Sequence, residues 1–315
     1  MAKGTAPPLI LCAGIIVLDE VFLVDRLPPP DTKVEAKDRF VVNGGCAANA
    51  AVAIARLDGR AALAGPMGGP AGTDDNGDHV LAALKREHVD TTACQRIDGL
   101  STAKSVIFID GRGDRTIVTY RSDGVAAATP RDPDATVAAA DLVLADNRYP
   151  HFVRPICEAA RRRKLAVVLD ADKATVEDDA LFRIATHVVF SSECLMATTG
   201  FTALGDGLNA VARHTQSFLA VSNGPNDILY LDGGALKRVP VFAVDAVDTL
   251  GAGDALHGGF ALGLAEGLSE AAALRFGAAA AGINCSRLGG SAGTPTRAEL
   301  EAFLAERGGA IRAKA

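Results

Sequence analysis

The sequence predicts a doubly wound α/β fold, in which helices flank a mostly parallel sheet and a small β-sheet lid is added. Three observations predict it. From about residue 140 onward, short apolar runs alternate with helical patterns, as in a parallel sheet buried on both faces. The earlier strands alternate apolar and polar residues, so they suit a lid that covers a site. The length of 315 residues suits one large domain. We therefore expect a single domain over residues 1–315, with lid strands inserted at about 19–43 and 103–123.

The first elements follow from apolar runs and the breaks between them. Residues 9–18 are apolar, and Asp19 and Glu20 end the run without a cleavage pattern. We expect a buried first strand there rather than a signal segment. The other predicted elements of this half are strands over 21–27 and 33–42, a helix over 46–57, a strand over 61–64, a glycine-rich loop over 65–77, a helix over 78–88 and a hairpin over 105–109 and 115–121, with its turn at 110–114.

The second half supplies the central sheet. Its apolar runs are short enough for strands, and the segments between them have helical periodicity. Buried parallel strands are predicted over 142–145, 166–169, 187–190 and 218–221, with helices near 151–163, 177–184, 193–199 and 203–215. A hairpin over 228–231 and 236–239 follows, and helices near 253–267, 269–287 and 296–306 close the chain.

Composition excludes several classes of protein. The formal charge is −6, from 38 acidic and 32 basic residues, so neither a nucleic acid nor an anionic membrane surface is an expected partner. No stretch reaches the roughly 20 apolar residues of a membrane span. Six cysteines are dispersed without a Cys-x-x-Cys pair, which suits a reducing compartment. We expect a cytoplasmic protein that acts on small molecules.

The stretch from Gly251 to Asp254 carries the strongest chemical signal. Gly251, Ala252 and Gly253 have little or no side chain, and an apolar helix is predicted after them. Backbone N–H groups at a helix start, with the positive end of its dipole, form a site for an anion. Asp254 suits that place if it takes a proton from a hydroxyl that attacks a phosphoryl group. The alternative is an ordinary turn in which Asp254 caps the helix.

Two longer segments resemble one family of enzymes. Asp248-Thr249-x-Gly251-Ala252-Gly253-Asp254, with small residues after it, resembles the C-terminal signature of the ribokinase-like (PfkB) family of carbohydrate kinases. About two hundred residues earlier, a Gly-Gly pair opens an Ala-rich helix, from Asn43 to Leu57, and resembles the N-terminal signature. Read without the resemblance, this second segment is a glycine turn before a buried helix.

The resemblance implies a ribokinase-like fold and an ATP-dependent sugar kinase. In such an enzyme the γ-phosphoryl group passes to a primary hydroxyl of a monosaccharide. Asp254 is then the base, and the amides around Ala252 and Gly253 form the anion hole. The lid of the family shuts over the sugar and often pairs two subunits, so a homodimer through the lid is expected. Mg²⁺ is implied as well, and it sits mostly on phosphate oxygens and water.

The nucleotide end of the match is less complete. Ser222-Asn223-Gly224 resembles the family's Thr/Ser-x-Gly segment, so Ser222, Gly224 and Gly253 are expected near ATP. The family's Asn-x-x-Glu motif is replaced by a run that begins Ser191-Ser192-Glu193. Either Glu193 acts through water on Mg²⁺ after a one-residue shift, with Ser191 beside the nucleotide, or that role is lost.

The resemblance also implies a monovalent cation beside the anion hole in some relatives. Asp248 and the loop 287–293 occupy the corresponding places. Backbone carbonyls and one carboxylate suit K⁺, although glycine-rich loops are common for other reasons.

For the acceptor, the matching positions of the family are Asp19, Gly44, Gly45 and Asn49. Paired glycines let backbone amides approach sugar hydroxyls, and the Asn49 side chain both donates and accepts. As an alternative, Asp19 simply ends a strand.

Arg148 stands where many ribose kinases carry a carboxylate. A guanidinium suits an anionic substituent through two parallel hydrogen bonds, and Lys33 and Arg121 of the predicted lid strands are expected to converge on the same group. The C-terminal two thirds are most similar to the ketose kinase and sulfofructose kinase branch, in which Lys33, Thr119 and Arg148 match the anion-binding positions and Thr119 replaces an Asn. This implies a ketose, with or without an anionic group.

Two alternatives stay open. A nucleoside kinase of the same fold is one, although the chain has no Trp and only three Tyr to stack on a base. The other is a non-catalytic protein that senses a sugar or a nucleotide, because the Asn-x-x-Glu position is altered.

Overall fold

The structure is a computed structural model that describes residues 6–112 and 115–307. Its strands are β1 (Leu9–Ala13), β2 (Val17–Leu23), β3 (Asp38–Gly44), β4 (Arg60–Ala64), β5 (Pro66–Gly69), β6 (Gln95–Asp98), β7 (Ala103–Ile109), β8 (Arg115–Tyr120), β9 (Leu142–Asp146), β10 (Ala166–Ala171), β11 (His187–Ser191), β12 (Phe218–Asn223), β13 (Asn226–Asp232) and β14 (Ala235–Val239). Its helices are α1 (Cys46–Arg56), α2 (Asp75–Arg86), α3 (Asp123–Ala126), α4 (Pro133–Thr136), α5 (Pro150–Arg162), α6 (Ala180–Ile184), α7 (Ser192–Thr199), α8 (Leu204–Ala212), α9 (Ala252–Ala265), α10 (Glu270–Cys285) and α11 (Arg297–Glu306), with a 3-10 turn over Gly290–Gly293. Residues 1–5 and 308–315 of the predicted single domain, and residues 113–114 of the predicted hairpin turn, lie outside the described residues, and the single domain stays a prediction.

The central sheet has eight strands in the order β14-β13-β12-β11-β10-β9-β1-β4. All neighbours from β4 to β12 are parallel, and β13 and β14 add an antiparallel edge. From β1 the chain winds outward to β4, and it returns in β9 on the other side of β1. The direction of winding therefore reverses between β1 and β9, which is where doubly wound sheets form a ligand crevice at their carboxyl ends.

Helices cover both faces of this sheet, because its strands are apolar on both. One face packs against α1, α9, α10 and α11, and the other against α5 to α8. Small residues let α9 and α10 approach closely: a Cβ on Gly259 would lie 2.8 Å from the Cα of Gly277. This contact fixes the direction in which the first turn of α9 points. None of the described helices is long and apolar enough to cross a membrane.

The lid is a separate four-stranded sheet in the order β3-β2-β7-β8. Its inward side chains, including Val21, Ile107 and Ile109, form a small cluster with Leu250, which lies just before α9. All six residues of the edge strand β8 are exposed. The lid is thus anchored to the segment that carries the strongest sequence signal.

The predicted buried first strand is present over Leu9–Ala13, but it is shorter than the apolar run of residues 9–18, because the chain turns and β2 begins at Val17. The chain turns at Gly14, where a Cβ would overlap the carboxylate of Asp146. The buried Asp146 accepts a hydrogen bond from the Ile15 N–H at 2.8 Å. A long-range polar contact of this kind thus breaks the apolar run at its glycine.

The lid and the glycine-rich loop also differ from prediction. The strands expected over 21–27 and 33–42 are β2 and β3. Residues 24–37 form a connection that is exposed from residue 29 onward, and Lys33 lies in it rather than on a strand. Within the predicted loop 65–77, Pro66–Gly69 forms β5, which pairs with β6. The helix expected from residue 78 begins at Asp75, because Asp74 caps it by accepting from the Gly77 N–H.

Candidate active site

The predicted site residues gather at the carboxyl ends of the parallel strands, around the starts of α1 and α9. Asp146, at the end of β9, holds this corner together. Its carboxylate accepts from the backbone N–H groups of Ile15 at 2.8 Å, Ala47 at 3.2 Å and Arg148 at 2.9 Å. Burial raises the pKa of Asp146 to about 6. The residue joins β1, β9 and α1, which is a structural role that the sequence did not reveal.

Asp254 and Asn49 are in direct contact, although 205 positions separate them. Asn49 Nδ2 donates to Asp254 Oδ2 at 2.7 Å, while the buried Asn49 Oδ1 has no hydrogen-bond partner in the described structure. Burial and, next, the charge of Asp170 raise the pKa of Asp254 to about 7, against the opposing effect of the Asn49 hydrogen bond. A carboxyl group with a pKa near neutrality is matched to proton transfer from a hydroxyl.

The first turn of α9 has the open backbone that an anion hole needs. Gly251 caps the helix in the left-handed region, at φ 73°. Ala252 uses its N–H weakly, in a 3.3 Å contact with the Thr249 carbonyl. Gly253 is exposed, and a Cβ there would meet no atom within 4 Å. The helix start therefore faces free space beside Asp254.

A second buried carboxylate, Asp170 at the end of β10, lies beside this turn. His257 connects it to α9, with Nδ1 2.7 Å from the Gly253 carbonyl oxygen and 3.5 Å from Asp170 Oδ2. The other ring nitrogen is 3.2 Å from the Val189 carbonyl oxygen. His257 thus ties the first turn of α9 to β10 and β11.

The lid contributes a row of polar side chains on its inner face. Asp19, Ser105 and Thr119 are register partners on β2, β7 and β8. Burial raises the pKa of Asp19 to about 6, and a hydrogen bond from Ser105 opposes the shift. The Ser105 and Thr119 hydroxyls are 3.0 Å apart. Ser105 was not found from the sequence, because only the strand pairing places it between two predicted residues.

The Gly44-Gly45 pair is required by close packing. A Cβ on Gly44 would overlap the Asp19 carboxylate, and one on Gly45, at φ 94°, would overlap the Ile15 carbonyl. Gly45 then caps α1 and accepts from the Asn49 N–H at 2.9 Å. The glycines thereby bring Asp19 and Asn49 to the same crevice.

Arg148 is not a free cation. Its guanidinium forms an ion pair with Asp172, a residue just past β10 to which the sequence gave no role. Lys33 is exposed. Arg121 acts by its charge on the buried hydroxyl of Tyr149, the residue after Arg148, and that hydroxyl has no hydrogen-bond partner in the described structure. The convergence of Lys33, Arg121 and Arg148 on one anionic group stays a prediction.

At the nucleotide end, Ser191 and Ser222 are paired at the ends of β11 and β12. Ser191 Oγ caps α7 by accepting from the Cys194 N–H at 3.1 Å, and Ser222 Oγ donates to the Phe190 carbonyl at 3.3 Å. Glu193 is exposed in the first turn of α7, whereas Cys194, three residues after Ser191, is buried. Gly224 forms the β12–β13 turn at φ 54°, with open space around it.

Asp248 joins the loop before α9 to the loop after α10. Its Oδ1 accepts from the Leu250 N–H at 2.9 Å, and its Oδ2 accepts from Gly289 at 3.0 Å and from Gly290 at 3.3 Å. A Cβ on Gly251 would lie 3.3 Å from the Gly290 carbonyl carbon. The carboxylate that was expected to hold K⁺ is thus already used by backbone donors, and any cation here would depend mainly on carbonyl oxygens.

Comparison with known proteins agrees with this geometry. A family model described as pfkB family carbohydrate kinase matches residues 7–297. Ribokinase of Bacillus subtilis is 28% identical over 94% of this chain and 99% of its own length. The ATP-dependent ribose-1-phosphate kinase of Halopiger xanaduensis is 30% identical, over 95% and 98%. A candidate ribokinase from Agrobacterium tumefaciens has a solved structure with a TM-score of 0.90 and 34% identity, covering 96% of this chain and 98% of that one.

Proposed function

Because the chain belongs to the pfkB family of carbohydrate kinases, and is therefore a phosphotransferase with an alcohol acceptor, we propose that it transfers the γ-phosphoryl group of ATP to a primary hydroxyl of a monosaccharide. One observation carries the proposal: Asp254, with a pKa raised to about 7 by burial, lies beside the open first turn of α9. A base and an anion site side by side are what phosphoryl transfer to a hydroxyl requires.

In the proposed reaction, the sugar hydroxyl donates its proton to Asp254 Oδ as its oxygen attacks the γ-phosphorus. The Asn49 amide nitrogen orients the Asp254 carboxylate through the 2.7 Å hydrogen bond. The Asn49 amide oxygen, Oδ1, is then free to accept from a second sugar hydroxyl. The backbone N–H groups of Gly251, Ala252 and Gly253 face the charge that develops on the phosphoryl oxygens. His257 holds this turn in place from behind.

Mg²⁺ fits the nucleotide end. Glu193 is exposed, and within the described residues no hydrogen bond or ion pair occupies its carboxylate, so it is free to bind a water of the ion. When bound, Mg²⁺ neutralises charge on the phosphate oxygens. Ser191, Ser222 and Gly224 border the same edge of the sheet and are proposed to contact the nucleotide.

The acceptor is proposed to be a sugar whose hydroxyls meet Asp19, Gly44, Gly45 and Thr119. A ketose remains the proposed class, with or without an anionic group. Support for an anionic group comes from the similarity to a ribose-1-phosphate kinase and from Arg121, whereas the Asp172 partner of Arg148 weighs against it. A sugar with a hydroxyl in place of the anion would be held by Asp172 itself.

Three finer features belong to the same proposal. A homodimer would form through the outer lid face, where Val118 and Tyr120 are 63% and 65% exposed and Phe22 stacks on Phe108. The cytoplasm suits the six free cysteines. K⁺ would bind to carbonyl oxygens of the loop 287–293 beside Asp248.

An acceptor panel tests the proposed function. ADP release is measured with neutral, phosphorylated, carboxylated and sulfonated ketoses, with ribose, and with nucleosides. Turnover with a monosaccharide supports the proposal, and turnover with nucleosides alone would contradict it. Binding without any ADP release would indicate a sensor. The Arg148→Ala variant is compared on neutral and anionic acceptors, and an equal loss on both would exclude an anion-binding role.

A further inference from the structure

Cys46, the first residue of α1, lies among carboxylates. Its Sγ, an oxygen of Asp170 and an oxygen of Asp254 all lie within 4.8 Å of one another, and they form the one group of three such ligand atoms in the described part of the chain. Asp172 Oδ2 is a further neighbour, 3.9 Å from the thiol. Burial and the neighbouring carboxylates raise the pKa of the Cys46 thiol well above its ordinary value, and the charge of Arg148, which is paired with Asp172, opposes them.

A second observation concerns Asn49, which contacts one member of this cluster. Asn49 is only 5% exposed, and its Oδ1 has no partner in the described structure, while its Nδ2 donates to Asp254 at 2.7 Å. Exchanging the nitrogen and the oxygen of the Asn49 amide does not give Oδ1 a partner. Oδ1 would then face an oxygen of the Asp254 carboxylate, and both atoms are hydrogen-bond acceptors. An unsatisfied oxygen therefore borders the cluster of one thiol and two carboxylates.

We propose that Cys46, Asp170 and Asp254 form a site for a thiophilic divalent cation, with Zn²⁺ as the type, and that occupation of this site inhibits the enzyme reversibly. The inhibitory part rests on the proposed function, because it acts by capping the proposed base. The cation-binding part does not.

The donor set selects the ion. Zn²⁺ binds thiolate, imidazole and carboxylate in tetrahedral sites, and three protein ligands leave a fourth position for water. With bonds of about 2.0–2.3 Å, its ligand atoms are about 3.5 Å apart. Since the three atoms lie within 4.8 Å of one another, each separation needs to contract by at most about 1.3 Å. Mg²⁺ demands oxygen ligands in octahedral geometry and does not replace Zn²⁺ at a thiolate. The nucleotide-bound ion therefore does not compete for this place.

The binding step is balanced without a redox partner. Hydrated Zn²⁺ forms one bond to Cys46 Sγ and one to an oxygen of each of Asp170 and Asp254. The thiol proton and the displaced waters leave to solvent. The carboxylate of Asp254 is then coordinated to the metal, so it cannot accept a proton from a sugar hydroxyl. Inhibition should accordingly lower kcat, as the loss of the base does.

Cobalt reports on the site without any turnover. Co²⁺ is titrated into the purified protein, and the near-ultraviolet charge-transfer band of a thiolate bound to cobalt is recorded. We expect one such site per chain in the wild type, the same band in Cys94→Ala, and its loss in Cys46→Ala. Cys94 is the matched control, because it is a partly buried free thiol outside the cluster. Alanine at position 46 suits the start of an Ala-rich helix, and thermal unfolding checks that the variant folds.

Inhibition is then measured at fixed Mg-ATP and sugar. The Zn²⁺ concentration for half-inhibition should rise on the order of ten- to hundredfold in Cys46→Ala, in keeping with the loss of a metal-site residue, and stay unchanged in Cys94→Ala. A cobalt–thiolate band that is absent from the wild type, or that persists in Cys46→Ala, overturns the proposal whatever the kinase activity. Equal inhibition of wild type and Cys46→Ala overturns the inhibitory part. A band without turnover on any acceptor contradicts the proposed function and leaves the metal site standing.

Discussion

The Asp254→Asn substitution should stabilise the folded protein while it removes the base. The reason is the pKa of Asp254, which burial and the charge of Asp170 raise from 3.8 to about 7. A carboxyl group whose folded-state pKa is raised lowers stability when it is ionised. The loss is absent below the unfolded pKa near 4, grows as the pH rises, and is complete above about pH 7.

The magnitude follows from the same values. Each pH unit between the two pKa values is worth 1.36 kcal/mol, so ionised Asp254 lowers stability by at most about 4 kcal/mol above pH 7. The asparagine in the variant keeps an acceptor for Asn49 Nδ2, but it is itself a buried polar group. These pH-independent effects set the offset between variant and wild type. The substitution also removes the charge repulsion between Asp254 and Asp170, and the net gain of Asp254→Asn over the wild type should grow by about 2–3 kcal/mol between pH 5 and pH 8.

Urea unfolding at pH 5 and pH 8 measures this difference. Asp98→Asn, at an exposed carboxylate at the end of β6, serves as the control and should show no such gain. An Asp254→Asn variant that is less stable than wild type at pH 8, or whose advantage shrinks as the pH rises, would refute the reasoning. The charge of Asp254 would then be stabilised by its surroundings.

Three further substitutions separate structure from chemistry. Asp146→Ala leaves three backbone N–H groups without their acceptor and should lower the free energy of unfolding by about 3 kcal/mol or more in urea; a change below 1 kcal/mol would be evidence against its role as a joint. Gly253→Ala fits the open space at the start of α9, so the protein should unfold no more easily, yet kcat/KM for ATP should fall about tenfold or more. Unchanged kinetics there would exclude a phosphate at this turn. Leu250→Ala removes the contact between the lid and the catalytic segment, with an expected loss of about 2–4 kcal/mol in thermal or urea unfolding and a raised KM for the sugar. A raised KM for ATP alone would instead assign Leu250 to the nucleotide side.

The sequence predicted the fold where patterns are local. Apolar runs at β9 to β12 and the Ala-rich helix α1 each carry their own periodicity, and the structure confirms them within a few residues. The pairing of β5 with β6 was missed because Pro66-Met67-Gly68-Gly69 has no strand pattern, and only the partner strand orders it. The turn at Gly14 was missed for a related reason, because the contact with Asp146 that requires it is 131 positions away.

The candidate site shows the same division. Asp254, Asn49 and the glycine pair could be predicted because motif spacing puts them at helix starts, and the structure brings Asn49 and Asp254 together. Arg148 could be found as an unusual residue, but its charge balance could not be judged without Asp172, which lies just past the neighbouring strand β10. The role of Glu193, one residue away from the position expected for the family's Glu, could not be judged from the sequence. The position at which α7 begins determines that Cys194 is buried and Glu193 exposed.

Phosphoryl transfer by Asp254→Asn tests the central claim most directly. Transfer of labelled γ-phosphate from ATP to the best sugar of the acceptor panel is followed for wild type and variant at pH 8, with binding of ATP and sugar measured in parallel. The account predicts that both ligands still bind and that kcat falls by about a hundredfold or more, as expected for the loss of a general base. A variant that transfers phosphate at the wild-type rate would contradict it.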